Sequence, residues 1–318
     1  MGRVAVTDGM AESAVQQLRD AGHHVDLEPT SLDGFDAVVI RSATKMTADA
    51  IAAAPSLKLI GRAGVGVDNI DLEAATEAGI LVCNTPGSST HSVVEMTIGH
   101  LLASVRHLAT ADRDLRRGAW TKKALKGTEL SGKRLGFIGF GRISQGVGRA
   151  AKAFGMELHG FDPYLPLEVA EAEGCTLHDD VNDVFRLCTH IAVHCNLTDE
   201  THHLVNASSL SLMPSIGADG VACGNHLVSC ARGGIVDEAA VLTALESGVL
   251  TSCALDVFEV EPPTDNPLLQ HPNFHGSPHI GAATLEAQGR IGAEMAELLI
   301  GFFAGTTPRS VVNRAVLD

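Results

Sequence analysis

"KRLGFIGFGRIS", residues 133–144, decides how this chain is read. The apolar run Leu135-Gly136-Phe137-Ile138 reads as a buried strand and leads directly into Gly139-Phe140-Gly141. Behind the glycines, "RISQGVGRAAKAFG" has helical character. Strand, glycine-rich turn and helix, in that order, are the context in which a G-x-G-x-x-G turn brings backbone amides to a pyrophosphate. Gly139 permits the tight turn, and Gly141 lets the backbone approach a ligand closely. The third glycine of the pattern is replaced by Ser144. That position packs helix against strand, and a serine hydroxyl can bond back to a carbonyl one turn earlier.

The next strand, "MELHGFD", ends in Asp162, 23 positions after Gly139. An acidic residue there receives the hydroxyls of an adenosine ribose. Its carboxylate repels a ribose 2′-phosphate, and no arginine follows in "DPYLP". The expected cofactor is therefore NAD rather than NADP.

Strand-like and helical runs alternate on both sides of the turn. Ahead of it stand "RVAVTD", "HHVDLE", "DAVVIRS", "LKLIGRAG" and "ILVCNTPG", with helical stretches at 12–21, 47–54 and 71–78. Residues 92–116 read as one continuous helix. After the turn come "HIAVHC", "HLVSCARGG" and "TSCALDVF", then a final helix from about Leu285 to Phe303. The expected fold class is α/β: two Rossmann-like doubly wound parallel-sheet domains with a cleft between them. A substrate-binding domain over 1–98, completed by 288–318, and an NAD-binding Rossmann domain over 99–287 are expected.

Composition narrows the function classes. A formal charge of −15 on 318 residues argues against a nucleic-acid partner. No N-terminal apolar segment and no run of about 18 apolar residues appears, so neither a secretion signal nor membrane contact is expected. Seven scattered cysteines without a C-x-x-C pair suit reduced thiols in a cytoplasmic protein. His271, His275 and His279 are spaced by four, but Pro272 and Pro278 break any helix that would align them, so no metal site is expected.

Three further motifs fall where strands end. "CARGGIVDE" holds Arg232, "LDVFEVEPP" holds Glu261 and "SPHIGA" holds His279. Ligands of open α/β sheets gather at the carboxyl ends of strands. Hydride transfer from a small 2-hydroxy acid needs an anchor for the carboxylate and an acceptor for the hydroxyl proton. Arginine suits the first task through its bidentate fork. Histidine suits the second, and a neighbouring carboxylate orients its ring and favours imidazolium.

With "GRAGVGVDNID", "NTPGSSTHSVVE", "GTELSGKRLGFIGFGRIS", "ARGGIVDEAAV", "LDVFEVEPP" and "SPHIGAAT" together, nearly the whole chain resembles the D-2-hydroxyacid dehydrogenase family, in particular its D-3-phosphoglycerate dehydrogenase branch. The resemblance implies NAD-dependent oxidation of D-3-phosphoglycerate to 3-phosphohydroxypyruvate, the first step of serine biosynthesis, by a homodimer. It implies that Arg232 binds the substrate carboxylate and carbonyl, that His279 is the acid/base and that Glu261 is its partner. It further implies that Asp256 meets the nicotinamide carboxamide, that Arg142 and Ile143 line the pyrophosphate, and that Cys230 and Gly281 border the cofactor. Backbone around Val65 and Gly66 would hold the carboxylate, and Arg41 and Arg62 a phosphate or carboxylate. Lys122 and Lys123 are a weaker match to a phosphate contact from a neighbouring subunit, an exposed basic turn being the simpler reading.

The alternative within the class is a glyoxylate or hydroxypyruvate reductase, which shares Arg232, Glu261 and His279 and needs no phosphate site. A formate dehydrogenase is disfavoured, since that relative pairs its histidine with glutamine. A non-enzymatic NADH-responsive corepressor is disfavoured by the intact catalytic residues. The regulatory C-terminal extension of some phosphoglycerate dehydrogenases is not seen, so serine feedback through it is not expected. Two departures stand out: Asn196 where the family carries proline, and several extra residues in "MPSIGADGVACGNHLVSC", at 214–226. Because Ser144 packs rather than contacts ligand, Ser144→Gly should leave NADH affinity within a few-fold in a fluorescence titration; a large loss would show that the serine touches the cofactor.

Overall fold

The structure is a computed structural model and describes residues 1–317. The chain divides into two compact units, Met1–Ser89 joined by the segment from Ala282 onward, and Thr90–Gly281. The first contains strands β1 (Arg3–Val6), β2 (His24–Leu27), β3 (Ala37–Ile40), β4 (Leu59–Arg62) and β5 (Leu81–Asn84). Their order is β2-β1-β3-β4-β5 with every pairing parallel. The central strand "AVVI" is buried along its whole length, the continuous apolar run of a sheet covered on both faces. The direction of winding reverses between β1 and β3, which places the unit's ligand crevice at their carboxyl ends.

The last helix, Leu285–Phe303, starts where Thr284 accepts a hydrogen bond from the Ala287 amide and belongs to this first unit. Its buried stripe of Ile291, Met295, Ala296 and Leu299 packs beside helix Glu12–Asp20, with Gly292 against Ala14. Burying each large apolar side chain of that stripe contributes about 1.5–3 kcal/mol.

The second unit is built on β6 (Arg134–Ile138), β7 (Glu157–Phe161), β8 (Cys175–Leu177), β9 (His190–Val193), β10 (His226–Ser229), β11 (Ser252–Leu255) and β12 (Phe274–Gly276). These form a seven-stranded sheet in the order β12-β11-β10-β9-β6-β7-β8, again parallel throughout. Here the winding reverses between β6 and β9, beside the glycine-rich turn. The edge strands β8 and β12 are three residues each and carry no apolar run, so the sequence pattern does not reveal them.

One expectation needs correction. Residues 92–116 are two helices, Thr90–Val105 and Leu108–Arg116. They break at His107, which adopts a left-handed conformation with φ +54°. Apolar periodicity overlooks the break because it resumes on the far side. The compact units divide at 89/90 and 281/282. Helix Thr90–Val105 lies wholly in the second unit, where Val94 sits directly on Gly146 of helix Arg142–Ala153.

The extra residues form a small hairpin ahead of β10. Ile216 bridges Ala222, the Gly217 amide donates to the Val221 carbonyl at 2.8 Å, and the Gly224 amide to that of Ser215 at 2.9 Å. Asp219 at its tip pairs at 2.6 Å with Lys133, whose side chain is only 4% exposed. The hairpin therefore lies at the amino ends of β6 and β10, opposite the end that bears Arg232.

The same unit buries an unusual set of imidazoles. His190 and His226 stack with centroids 4.7 Å apart. His226 Nδ1 lies 2.7 Å from the Ser252 hydroxyl, and its Nε2 donates to the Cys223 carbonyl at 3.0 Å. Burial pushes His226 and His275 down to about 4 and His194 to about 3, and holds His190 well below the ordinary value. A histidine with a lowered folded value binds protons more readily when unfolded. Its contribution is complete above the unfolded value of 6.5 and is lost as pH falls toward the folded value. Stability should therefore decline from pH 6.5 to about 4, by about 1.4 kcal/mol per pH unit for each such histidine. Denaturant melts across that window test this; a flat profile would show that these imidazoles titrate normally.

Candidate active site

The nucleotide turn is held by its own strands. Gly139 adopts φ +84°, and a Cβ there would meet the backbone of Cys195 at 2.9 Å. The Gly139 amide donates to the Phe161 carbonyl at 2.8 Å. Ser144 is fully buried and its hydroxyl donates to the Gly139 carbonyl at 2.6 Å, so it braces the turn from within the first helical turn. The close helix–strand packing usual for a third glycine falls instead to Gly148, where a Cβ would meet Leu158 of β7 at 2.8 Å. Asp162 accepts from the Phe140 amide at 2.9 Å and the Tyr164 amide at 3.1 Å, which aligns its carboxylate beside the turn.

These residues fit a dinucleotide. Nothing lies within 4 Å of the place where a Cβ on Gly141 would stand, so the start of helix Arg142–Ala153 is open for a phosphate. Arg142 is exposed and Ile143 half-buried beside it. His194, immediately after β9, has both ring nitrogens buried without a hydrogen-bond partner among the described residues. Sequence reading missed His194, because a single histidine after an apolar strand carries no motif.

At the carboxyl end of β11, Asp256 is 2% exposed. Three consecutive amides converge on it. His279 donates to its carbonyl at 2.8 Å, Ile280 to Oδ1 at 2.9 Å and Gly281 to Oδ2 at 2.8 Å. The Ser277 hydroxyl adds a bond to Oδ1 at 2.5 Å. His279 itself sits at φ +52°, a left-handed conformation that costs a non-glycine residue about 1–3 kcal/mol and persists only where its surroundings impose it. Asp256 does so.

His279 Nδ1 lies 2.9 Å from Glu261 Oε2, with both side chains 38% exposed. The other carboxylate oxygen of Glu261 accepts from the Phe258 amide at 3.1 Å. Burial pushes the Glu261 carboxyl up, but the hydrogen bond and charge of His279, the Phe258 amide and the Arg232 charge outweigh it and hold the group below its usual range. Arg232 bonds its own preceding carbonyl, that of Ala231, at 2.6 Å. Thus Arg232, Glu261 and His279 interact at one end of one sheet. Burial raises the Cys230 thiol to about 12, and the sulfur packs against Thr97, leaving backbone as what this residue can offer a ligand.

In the first unit, Arg41 follows β3 and Arg62 ends β4, with Val65 and Gly66 just beyond. Asp8 accepts from the Arg41 amide at 2.7 Å and from the Thr44 amide at 2.9 Å. Burial raises its carboxyl, yet Thr44, the two amides and the Arg41 charge bring it below its ordinary value. Asn69 donates to the carbonyls of Arg41 and Thr44 at 2.7 and 2.6 Å. Asn84 donates to that of Val65 at 2.6 Å. Asp8 and Asn69 were not among the residues expected from sequence.

Comparison with known proteins agrees with this geometry. Residues 98–281 match the model of the D-isomer specific 2-hydroxyacid dehydrogenase NAD binding domain. The chain is 45% identical over 98% of its length to a D-3-phosphoglycerate dehydrogenase of Methanocaldococcus jannaschii, of which it spans 60%. It is 44% identical over 93% of its length to a hydroxypyruvate reductase of Thermotoga maritima, of which it spans 96%. Among solved structures, D-lactate dehydrogenase from Aquifex aeolicus, complexed with NAD and lactic acid, superposes with a TM-score of 0.83 at 27% identity, covering 95% of this chain and 96% of that one. The chain belongs to the D-isomer specific 2-hydroxyacid dehydrogenase family, and its second unit carries that family's NAD binding domain.

Proposed function

We propose that the protein is an NAD-dependent D-2-hydroxyacid dehydrogenase that interconverts D-3-phosphoglycerate and 3-phosphohydroxypyruvate, the entry to serine biosynthesis, as a cytoplasmic homodimer. The observation that carries the chemistry is the 2.9 Å contact between His279 Nδ1 and Glu261, at the same end of the sheet as the nucleotide turn. With Nδ1 engaged, Nε2 of His279 is the atom that takes the substrate hydroxyl proton. Glu261 stabilises the imidazolium that results and keeps the ring oriented. Arg232 holds the carboxylate and polarises the C2 oxygen. When bound, NAD supplies the acceptor for the hydride that leaves C2. In the reverse direction, His279 returns the proton to the carbonyl oxygen.

The phosphorylated substrate rests on Arg41 and Arg62, two cations at the ligand end of the first sheet, and on the similarity to phosphoglycerate dehydrogenases. Lys122 and Lys123 are exposed and available to an anionic group presented to a neighbouring subunit. The seven cysteines are all free, in keeping with a reducing compartment. Among the described residues, no helix is long and apolar enough to cross a membrane. A second reading, hydroxypyruvate reductase, is favoured by the Thermotoga maritima relative, which this chain spans almost end to end.

His279→Ala should lower kcat by about 10²–10⁴-fold, the range for loss of a general acid–base group, while NADH affinity changes only a few-fold. Unaltered kcat would remove His279 from the chemistry. Substrate identity is tested by comparing kcat/KM for NADH-dependent reduction of 3-phosphohydroxypyruvate, hydroxypyruvate and glyoxylate. A strong preference for the phosphorylated acid supports the phosphoglycerate reading, and the reverse preference assigns the protein to the reductases.

A further inference from the structure

We infer that His100 is a positioning residue for the loop that carries His279, acting through Ser277 and Asp256. The inference rests on the proposed role of His279. His100 lies within helix Thr90–Val105 and is 7% exposed. Its Nε2 is 3.1 Å from the Ser277 hydroxyl, which in turn gives its proton to Asp256 Oδ1 at 2.5 Å. A hydroxyl has one proton. Since Ser277 commits it to a carboxylate, the imidazole must be the donor, with its hydrogen on Nε2. Burial keeps His100 below its ordinary value in spite of the Asp256 charge, so the ring is neutral and carries a single N–H.

The chain of bonds from His100 to Ser277 to Asp256 ends on the carboxylate that receives the amides of 280 and 281, while the main-chain carbonyl of the same residue receives that of 279. In a buried setting consecutive hydrogen bonds polarise one another. Donation from His100 strengthens the bond from Ser277 to Asp256 and aims the serine hydroxyl at Oδ1. Without it, the hydroxyl can turn away and Asp256 Oδ1 retains only the Ile280 amide. The imidazole is itself held in place: the ring of His275 packs against it at a tilt of 43°, with centroids 5.2 Å apart. His100 thus braces the left-handed backbone at His279 from behind the sheet, without touching the reacting atoms.

The test measures amide hydrogen exchange at Ile280 and Gly281, together with kcat and KM for NADH-dependent hydroxypyruvate reduction, in the full chain, in four single variants and in the His100→Leu/Ser277→Ala double variant. His100→Leu and Ser277→Ala remove the donor and the relay. His100→Gln and Ser277→Thr retain an N–H and a hydroxyl. The loss of one bond of this kind is expected to speed exchange of the two amides and to lower kcat by about tenfold, with KM for NADH changed less. The double variant should lose no more than either single one, and Gln and Thr should recover most of the loss. Unchanged exchange in both His100→Leu and Ser277→Ala, or losses that add in the double variant, would overturn the inference. Should His100→Leu not fold, the contrast of Ser277→Ala with Ser277→Thr decides. Exchange is read without turnover, so a wild-type protein inactive on every 2-keto acid would count against the dehydrogenase reading alone.

Discussion

Carboxylates that accept backbone amides at the ends of parallel strands hold the ligand-facing loops of this protein in place. Asp8 gathers the amides of Arg41 and Thr44, and Asp162 those of Phe140 and Tyr164. Asp256 gathers those of Ile280 and Gly281, and Glu261 that of Phe258. Charge-assisted bonds of this kind are about twice as strong as neutral ones, and each fixes a loop that has no regular structure of its own. A parallel sheet ends abruptly, and the chain leaving it must satisfy its freed amides. An acidic side chain one or a few residues past the strand meets that need and sets the position of whatever the loop carries.

Much of this was legible beforehand, for definite reasons. The turn at 139–144 has a strand before it and a helix after it, and both periods are visible in the residues. Arg232, Glu261 and His279 each follow an apolar run, so their common placement at strand ends follows from parallel topology. What escaped is what periodicity does not encode. The three-residue edge strands "CTL" and "FHG" are too short to show alternation. The break at His107 is a backbone event between two stretches of helical pattern. Asp8 and Asn69 act on residues about 25 to 36 positions away, a distance that only folding collapses.

The histidines illustrate the limit most clearly. Sequence reading weighed the His271, His275 and His279 spacing as a metal ladder and rejected it because of the prolines. In the fold His275 lies against His100, while His279 faces Glu261. The same spacing therefore yields a buried ring and the proposed acid/base group. The difference is environment: burial drives His275 down to about 4, whereas His279 has a carboxylate at 2.9 Å and a partly exposed ring.

An acidic chain with a net charge of −15 is compatible with anionic ligands because the relevant fields are local. Exposed charges more than about 8–10 Å away are largely screened at physiological salt. A phosphate at Gly141 meets the first amides of helix Arg142–Ala153 and their dipole instead. The hairpin at 214–226 and the stacked pair His190 and His226 lie at the opposite, amino end of the same sheet. Their ion pair and their burial act on stability, while the carboxyl end sets the chemistry.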